Sequence, residues 1–558
     1  MQHHTTSDSS KLKKWLKVIA WVVGVSLLVF VGLFFFTFWL ESKLERMVEA
    51  QSKGVYKLRL YGLSTSPFIG SLAVDSLELQ PNYERWQELS KKRSSTPRTL
   101  LRLHTGPINL RKLSYVKALL KQKIQLDELE VAKLNMLLTV MRPDTTESHK
   151  PLHETTKGFL QGLAIGKIHV RDGQLGYRLQ EAADTAFTVK HFNLQVLGYK
   201  LDSASFHAKE RAYYAKKYML AASNITYQLP DGLYSATTDT LQLDTQAERV
   251  LVKGLALKPT VEPAALARAK GKAVTYQEIT VKEAALQGVA FGAHSRENEV
   301  RVRHVQLLNP SLTAFKDKQH FQDKGTKQLP HAMVQSIKTP FLLDTIALKH
   351  GYIRYAELVP QAQERGHITF HHLRALITNL SNMPEHISME KPAVVQATTK
   401  VMDRAKLNVT IKLPLLNRNG YHTLEGEIGE TNLQILNPIL MPTTFMKITR
   451  GQVSSARFKA ELTDARATGT MVVLYNNLEV ELLKKGSGGD QGLGKKLISE
   501  LADWIAIKDS NPAEGEQPRT GEIAFSHNRQ KSVFNYWKSC LVSGFKSSIG
   551  LKSEIPKK

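Results

Sequence analysis

Past residue 50 the chain repeatedly alternates apolar and polar residues with a period of two. This restricts those segments to strands with one dry and one wetted face. Leu134, Met136, Leu138 and Val140 form one such run, and Leu407, Val409, Ile411 and Leu413 another. Val300 and Val302 are followed by Val305 and Leu307. Met471, Val473 and Tyr475, then Leu478, Val480 and Leu482, read as two strands joined across Asn476-Asn477. Strands of this kind suit a largely antiparallel sheet. Between them, Tyr83 to Lys92 and Ser205 to Leu220 are compatible with short helices. Arg142 to Lys157 and Lys316 to Gln328 are polar and read as loops.

One strand pattern occurs twice. Ile168-His-Val-Arg-Asp-Gly-Gln-Leu-Gly-Tyr177 matches Ile346-Ala-Leu-Lys-His-Gly-Tyr-Ile-Arg-Tyr355. Each reads as a strand, a glycine turn at Gly173 or Gly351, and a second strand ending in tyrosine. A further strand comes after each, from Phe187 and from Ile368. Repetition favours a body extended by stacking units. Roughly 25 strands at about 4.8 Å would give an apolar trough on the order of 100 Å long. The expected fold is mainly β: an elongated, curved, largely antiparallel sheet with an apolar inner groove, a few short helices and one N-terminal transmembrane helix. In the first copy Ile168, Val170, Leu175 and Tyr177 are the candidates to line the groove. In the second they are Ile346, Leu348, Ile353 and Tyr355, with Val409 and Ile411 further on. The alternative is a second layer that fills the same face, as in a sandwich.

Val18 to Leu40 is an uncharged run of 23 residues, long enough to cross a bilayer core as a helix. Val18, Trp21, Leu28, Phe35, Trp39 and Leu40 are the anchor candidates. Lys11, Lys13, Lys14 and Lys17 precede the run, whereas Glu41, Lys43, Glu45 and Arg46 after it are balanced. That asymmetry puts the N-terminus in the cytoplasm. The absence of a small-residue cleavage site after Leu40 favours an uncleaved anchor over a signal peptide. The resulting division is a cytoplasmic tail (1–14), an anchor (15–40) and a β-repeat body (41–340). Beyond these lie a second β region (341–485) and a glycine loop, helix and C-terminal cap (486–558).

The chain carries a formal charge of +25, which suggests an anionic neighbour such as lipid headgroups, an acidic polysaccharide or nucleic acid. No nucleic-acid motif supports the last. The lone Cys540 cannot form an internal disulfide and reads as a small buried apolar side chain. Gly489 to Lys495 fits G-x-x-x-x-G-K, but Lys496 stands where a phosphate-binding loop needs Ser or Thr. His371 and His372 are adjacent in a strand, which points them to opposite faces. His149 and His153 sit in a polar loop, and Asp127-Glu128 reads as a solvated pair at a strand turn. No catalytic signature, cofactor site or metal site is expected. Phe534, Trp537, Leu541 and Phe545 recur at helical spacing. They mark either a cap over the end of the sheet or an amphipathic helix on an anionic membrane.

The segments Phe341 to Glu357, Leu436-Asn-Pro-Ile-Leu440, Ile448-Thr-Arg-Gly-Gln-Val453, Ala467 to Lys484 and Ser532 to Gly544 resemble the AsmA-like envelope proteins of Gram-negative bacteria. Those are similar in turn to the AsmA/TamB-like repeating-β-groove proteins. The resemblance implies a single-pass inner-membrane protein with a periplasmic body. Its partners would be the phospholipid bilayer and the acyl chains of lipids, in lipid transport or outer-membrane lipid homeostasis. The alternative is a chaperone-like assembly factor whose partners are outer-membrane or other envelope proteins.

Overall fold

A computed structural model describes residues 35–66, 68–92, 96–121, 123–142, 151–156, 161–180, 185–483 and 507–551. The fold is mainly β, 53% strand and 19% helix, with 24 strands among the described residues in one open, mostly antiparallel sheet. Two compact units divide the chain, one through Ser223 and one from Asn224.

In the first unit, the strand Gly162–Leu179 runs unbroken through Gly173. The expected glycine turn does not exist. Asp172 takes a positive φ of 53°, and the register with the next strand, Phe187–Leu201, slips on either side of the Gly173–Phe192 pair. This is a β-bulge, which inserts a residue and bends the strand. On its other edge the strand pairs in parallel with Lys123–Ala132 and then with Asn135–Val140. Those two strands break at Lys133, whose N–H donates to Arg171 O opposite the bulge.

The second unit holds a similar arrangement. Phe341–Leu358 is also one strand. It bulges at His350-Gly351, pairs in parallel with Val300–Asp317 and runs antiparallel to Gly366–Ser381. Gly254, Asn309, His350 and His372 all have positive φ at neighbouring positions of their strands, so the bends lie side by side. Parallel neighbours require a crossover, and the expected loops supply it. The 318–340 connection holds the helix Pro330–Gln335, and the connection after Val140 holds the helix Leu152–Thr155.

Several expectations are corrected. Asn476-Asn477 is not a turn, because Arg466–Leu482 is one strand with Asn477 at φ 51°. Ser205 to Leu220 is not a helix. Only Ser203–His207 is helical, and the strand Lys217–Gln228 begins inside that range. Tyr83–Lys91 is a helix as expected, N-capped by Asn82.

Most of the N-terminal apolar run, including Val18, Trp21 and Leu28, lies outside the described residues. From Phe35 the chain is helical, and the helix continues past Leu40 to residue 51. Leu40 is buried, while Phe35 and Trp39 are exposed. No helix among the described residues is long and apolar enough to cross a membrane.

The largest core cluster belongs to the second unit. It joins strands from Ile411 to Ile523 with the C-terminal helix Val533–Ser548. Ser532 caps this helix by accepting from Asn535 N–H. Its buried face is Tyr536, Cys540, Gly544 and Ser548. A β-carbon on Gly544 would lie 2.7 Å from Ile523 and one on Gly521 2.4 Å from Ser548 N, so bare α-carbons let helix and sheet approach closely.

Candidate functional site

The apolar residues of each unit fall into register across the strands. In the first unit one row runs Leu72, Leu110, Leu129, Ile168, Val196. The next runs Val74, Ile108, Val131, Val170, Leu194. Past the bulge a third runs Leu58, Leu79, Leu103, Met136, Leu175, Val189. A fourth runs Leu101, Leu138, Tyr177, Phe187. Simple alternation would put Val170 and Leu175 on opposite faces. The extra residue at the bulge restores them to one.

The rows of the second unit are longer. One contains Leu286, Val305, Ile346, Ile377, Val395, Ile411 and Leu424. The next contains Ala284, Leu307, Leu348, Ala375, Ala397, Val409, Gly426 and Phe458. Beyond the bulge come Ile279, Leu312, Ile353, Phe370 and Val401, and then Ala314, Tyr355 and Ile368. All ten groove candidates thus stand on apolar rows.

Cover over these rows is uneven. Phe458 and Met471 are buried beneath the C-terminal helix, whereas Leu307, Leu348, Ala375, Ala397 and Val409 are only half-buried. Leu348, Ala375, Ala397, Val409 and Gly426 line a hollow of ≈ 550 Å³, with Arg374, Glu425 and Glu427 among its polar neighbours. The small residues Ala375, Ala397 and Gly426 create it.

A charged cluster closes the far ends of these strands. Lys318 is ion-paired with Glu357, and the Tyr355 hydroxyl donates to the same carboxylate at 2.7 Å. Asp323 bridges Lys316 and Lys531, the latter at 2.7 Å. Burial pushes the Glu357 carboxyl up, but the Lys318 ammonium outweighs this and holds it below the usual carboxylate range. Burial raises the Tyr355 hydroxyl, reinforced by Glu357, so it stays a donor. Lys538 reaches toward Glu357 from the C-terminal helix. It makes no ion pair among the described residues, and it remains exposed. Although the side chain keeps solvent contact, partial desolvation by the packed surroundings lowers its pKa, with Glu357 opposing and Lys318 and Lys531 adding to the fall. The cluster sets Lys316, Lys318, Lys531 and Lys538 against Asp323 and Glu357, an excess of positive charge beside Tyr355 and Ile353.

The C-terminal helix lies on the sheet. Phe534 is 68% exposed, while Trp537, Leu541 and Phe545 pack at the margin of the core. The apolar stripe legible in the sequence is therefore not the buried face, because Gly544 and Ser548 escape any hydrophobicity pattern. Trp537 Nε1–H donates to His422 Nε2 at 3.0 Å, and His422 Nδ1 lies 2.8 Å from Gly420 O. These partners fix a neutral imidazole with its proton on Nδ1, and burial lowers its pKa.

Other residues singled out by sequence resolve structurally. Cys540 is fully buried, and burial pushes its thiol up to about 12. His153 is not in a polar loop but packs in the core, with Nδ1 2.9 Å from the Tyr214 hydroxyl. His149 and the Gly489–Lys495 segment lie outside the described residues. His371 and His372 do not point cleanly apart, because the bulge at His372 breaks alternation and brings their ring centroids to 6.3 Å. They have separate partners, Thr369 and Asp403. Asp127 and Glu128 lie within a strand, not at a turn, and pair with Lys112 at 2.7 Å and Arg111 at 3.2 Å.

Glu128, Glu130 and His169 converge closely enough to share an ion, a grouping across parallel strands that sequence spacing hides. Arg111 and Lys167 already neutralise Glu128, which opposes a cation there.

No protein-family model matches the chain, and no curated protein matches it.

Proposed function

We propose that this chain is an AsmA-like envelope protein that shelters phospholipid acyl chains on the apolar face of its sheet. It would be anchored by the Val18–Leu40 run in a bacterial inner membrane, with its body in the periplasm, and would serve lipid transport or outer-membrane lipid homeostasis. One observation carries the reading. Apolar residues stay in register across many strands, yet from Leu307 to Val409 they are only half-buried. An ordinary core would bury such rows, since each Å² of apolar surface left in water forgoes about 25 cal/mol. Acyl chains match that surface and need no directional contacts. The positive cluster around Lys538 suits the phosphate of the same molecule. The mechanism is passive shielding, with the curved groove as the path.

The test is to purify the full chain, exchange the detergent, extract it and analyse bound lipid by mass spectrometry. Stoichiometric phospholipid, reduced when Ala397 is made bulky, is the expected result. A chain that never carries lipid overturns the reading. Crosslinks recovering outer-membrane proteins instead would favour the assembly-factor alternative.

A further inference from the structure

Six of the most exposed large apolar side chains gather on three elements of the first unit. Phe35 and Phe38, 64% and 65% exposed, stand on helix 35–51. Phe68 and Ile69, 80% and 70% exposed, tip the turn between the strands Ser64–Ser66 and Ser71–Val74. Val116 and Leu120, 65% and 79% exposed, stand on the helix Tyr115–Lys121. Elsewhere among the described residues only Phe534 is as exposed.

The three elements are joined. Thr37 and Thr65 hydroxyls lie 2.7 Å apart. The Phe36 ring meets Tyr115 edge-on at 5.9 Å. Tyr115 in turn donates its hydroxyl proton to Ser71 O at 2.6 Å, and Leu113 N–H donates to Gly70 O at 2.6 Å. Phe36 and Thr37 therefore face Tyr115 and Thr65, while Phe35 and Phe38 stay largely exposed.

We infer that these six side chains form a membrane-docking face that inserts into the interfacial layer of a phospholipid bilayer. Contiguous exposed apolar groups mark an interaction surface. The position of the patch identifies the occupant. The uncharged run Val18–Leu40 enters the described structure on helix 35–51, so two of the six side chains stand on the described end of a segment that is itself apolar enough for a bilayer. Separate projecting tips suit a fluid acyl layer, which conforms to them without a complementary shape. Trp39 carries the Lys43 ammonium 4.5 Å from its ring centroid, a pairing of residue types that favours the headgroup level. The inference stands apart from the groove reading, since no groove residue takes part.

Cys540 makes the test simple. It is the one cysteine of the sequence, buried and held as an unreactive thiol, so a second cysteine can be labelled alone. An environment-sensitive fluorophore is placed by Phe68→Cys, Leu120→Cys or, for comparison, the exposed Gln246→Cys. The full chain is then reconstituted in phosphatidylethanolamine–phosphatidylglycerol vesicles. Labels at 68 and 120 are expected to shift to the blue, lose quenching by iodide and gain quenching by brominated acyl chains. The label at 246 should do none of these. Iodide quenching at 68 and 120 equal to that at 246 overturns the proposal. So does shielding from iodide without quenching by brominated lipid, which would put protein over the patch. In the Leu120→Cys chain, Phe68→Asp with Val116→Asp should restore iodide quenching. A melting curve checks its fold, and the labelling comparison decides even where that variant does not fold.

Discussion

The ring of Phe192 lies over the bare α-carbon of Gly173, and a β-carbon there would fall 2.3 Å from the ring's Cζ. At the equivalent place in the second unit, Leu373 stands over Gly351 with a closest approach of 3.1 Å. The aromatic ring cannot fold aside, whereas a leucine can change rotamer. Gly173→Ala should therefore destabilise by about 1–3 kcal/mol through overpacking, and Gly351→Ala by less. Urea unfolding of the two variants measures this, and Phe192→Leu should recover part of the loss in the first. Equal effects at both sites would show that backbone demands, not the ring, require glycine.

His422 makes stability depend on pH with a defined sign. Its folded pKa is depressed by burial, so between that value and the unfolded value of about 6.5 the unfolded chain holds more protons. The contribution is fully present above about 6.5 and is lost as pH falls below it. Thermal melts should shift downward from pH 7.5 to pH 5.5, and less so in His422→Gln, whose amide oxygen can still accept from Trp537. An unchanged pH slope in that variant would refute the assignment.

Much of the fold was legible in alternation, and what was missed has one physical cause. The apolar positions Ile168 and Val170 are even and Leu175 and Tyr177 odd, and the same holds for Ile346 and Leu348 against Ile353 and Tyr355. A parity change beside glycine reads equally as a turn or as a bulge, and only the register decides. Asn476-Asn477 misled in the same way, since an asparagine at positive φ serves within a strand as well as in a turn. The C-terminal helix was legible as a helix, but its buried stripe of Tyr536, Cys540, Gly544 and Ser548 was not. Close approach selects small residues there, and a hydrophobicity pattern does not register smallness. The charged cluster joins Asp323, Glu357 and Lys538, too distant in sequence for any spacing rule.

Glu357 should be needed for stability and Lys538 should not. Glu357→Gln strands the Lys318 ammonium, and a broken buried pair costs roughly 3–5 kcal/mol. The lower end of that range applies because the Lys318 side chain keeps 24% exposure. Lys538→Gln removes an exposed charge with no ion pair among the described residues and should change stability by no more than about 0.5 kcal/mol. Chemical denaturation separates the two, and equal losses would mean that Lys538 is as much a part of the charged cluster's pairing as Lys318.

Filling the hollow should separate binding from folding. Ala397 is half-buried beside Val409, so Ala397→Phe has open space to occupy and should cost less than about 1 kcal/mol. Lipid recovered with the full chain should fall. Undiminished lipid in a stable Ala397→Phe chain would place any bound acyl chain elsewhere.

The bulges at Asp172-Gly173 and His350-Gly351 act on side-chain direction as a frameshift acts on codons. Each resets the phase of its strand by one residue, so that apolar side chains on both sides of the bulge are read on one face. Deleting His350 alone would restore simple alternation and keep Leu348 and Ile353 on one face, but everything beyond the deletion would fall one residue out of register with the bulged strands on either side. Deleting one residue from that strand and one from its partner would not mend it, because Val300–Asp317 carries its own matching bulge at Asn309. The second unit is therefore far less tolerant of a missing residue at this crease than of a changed one.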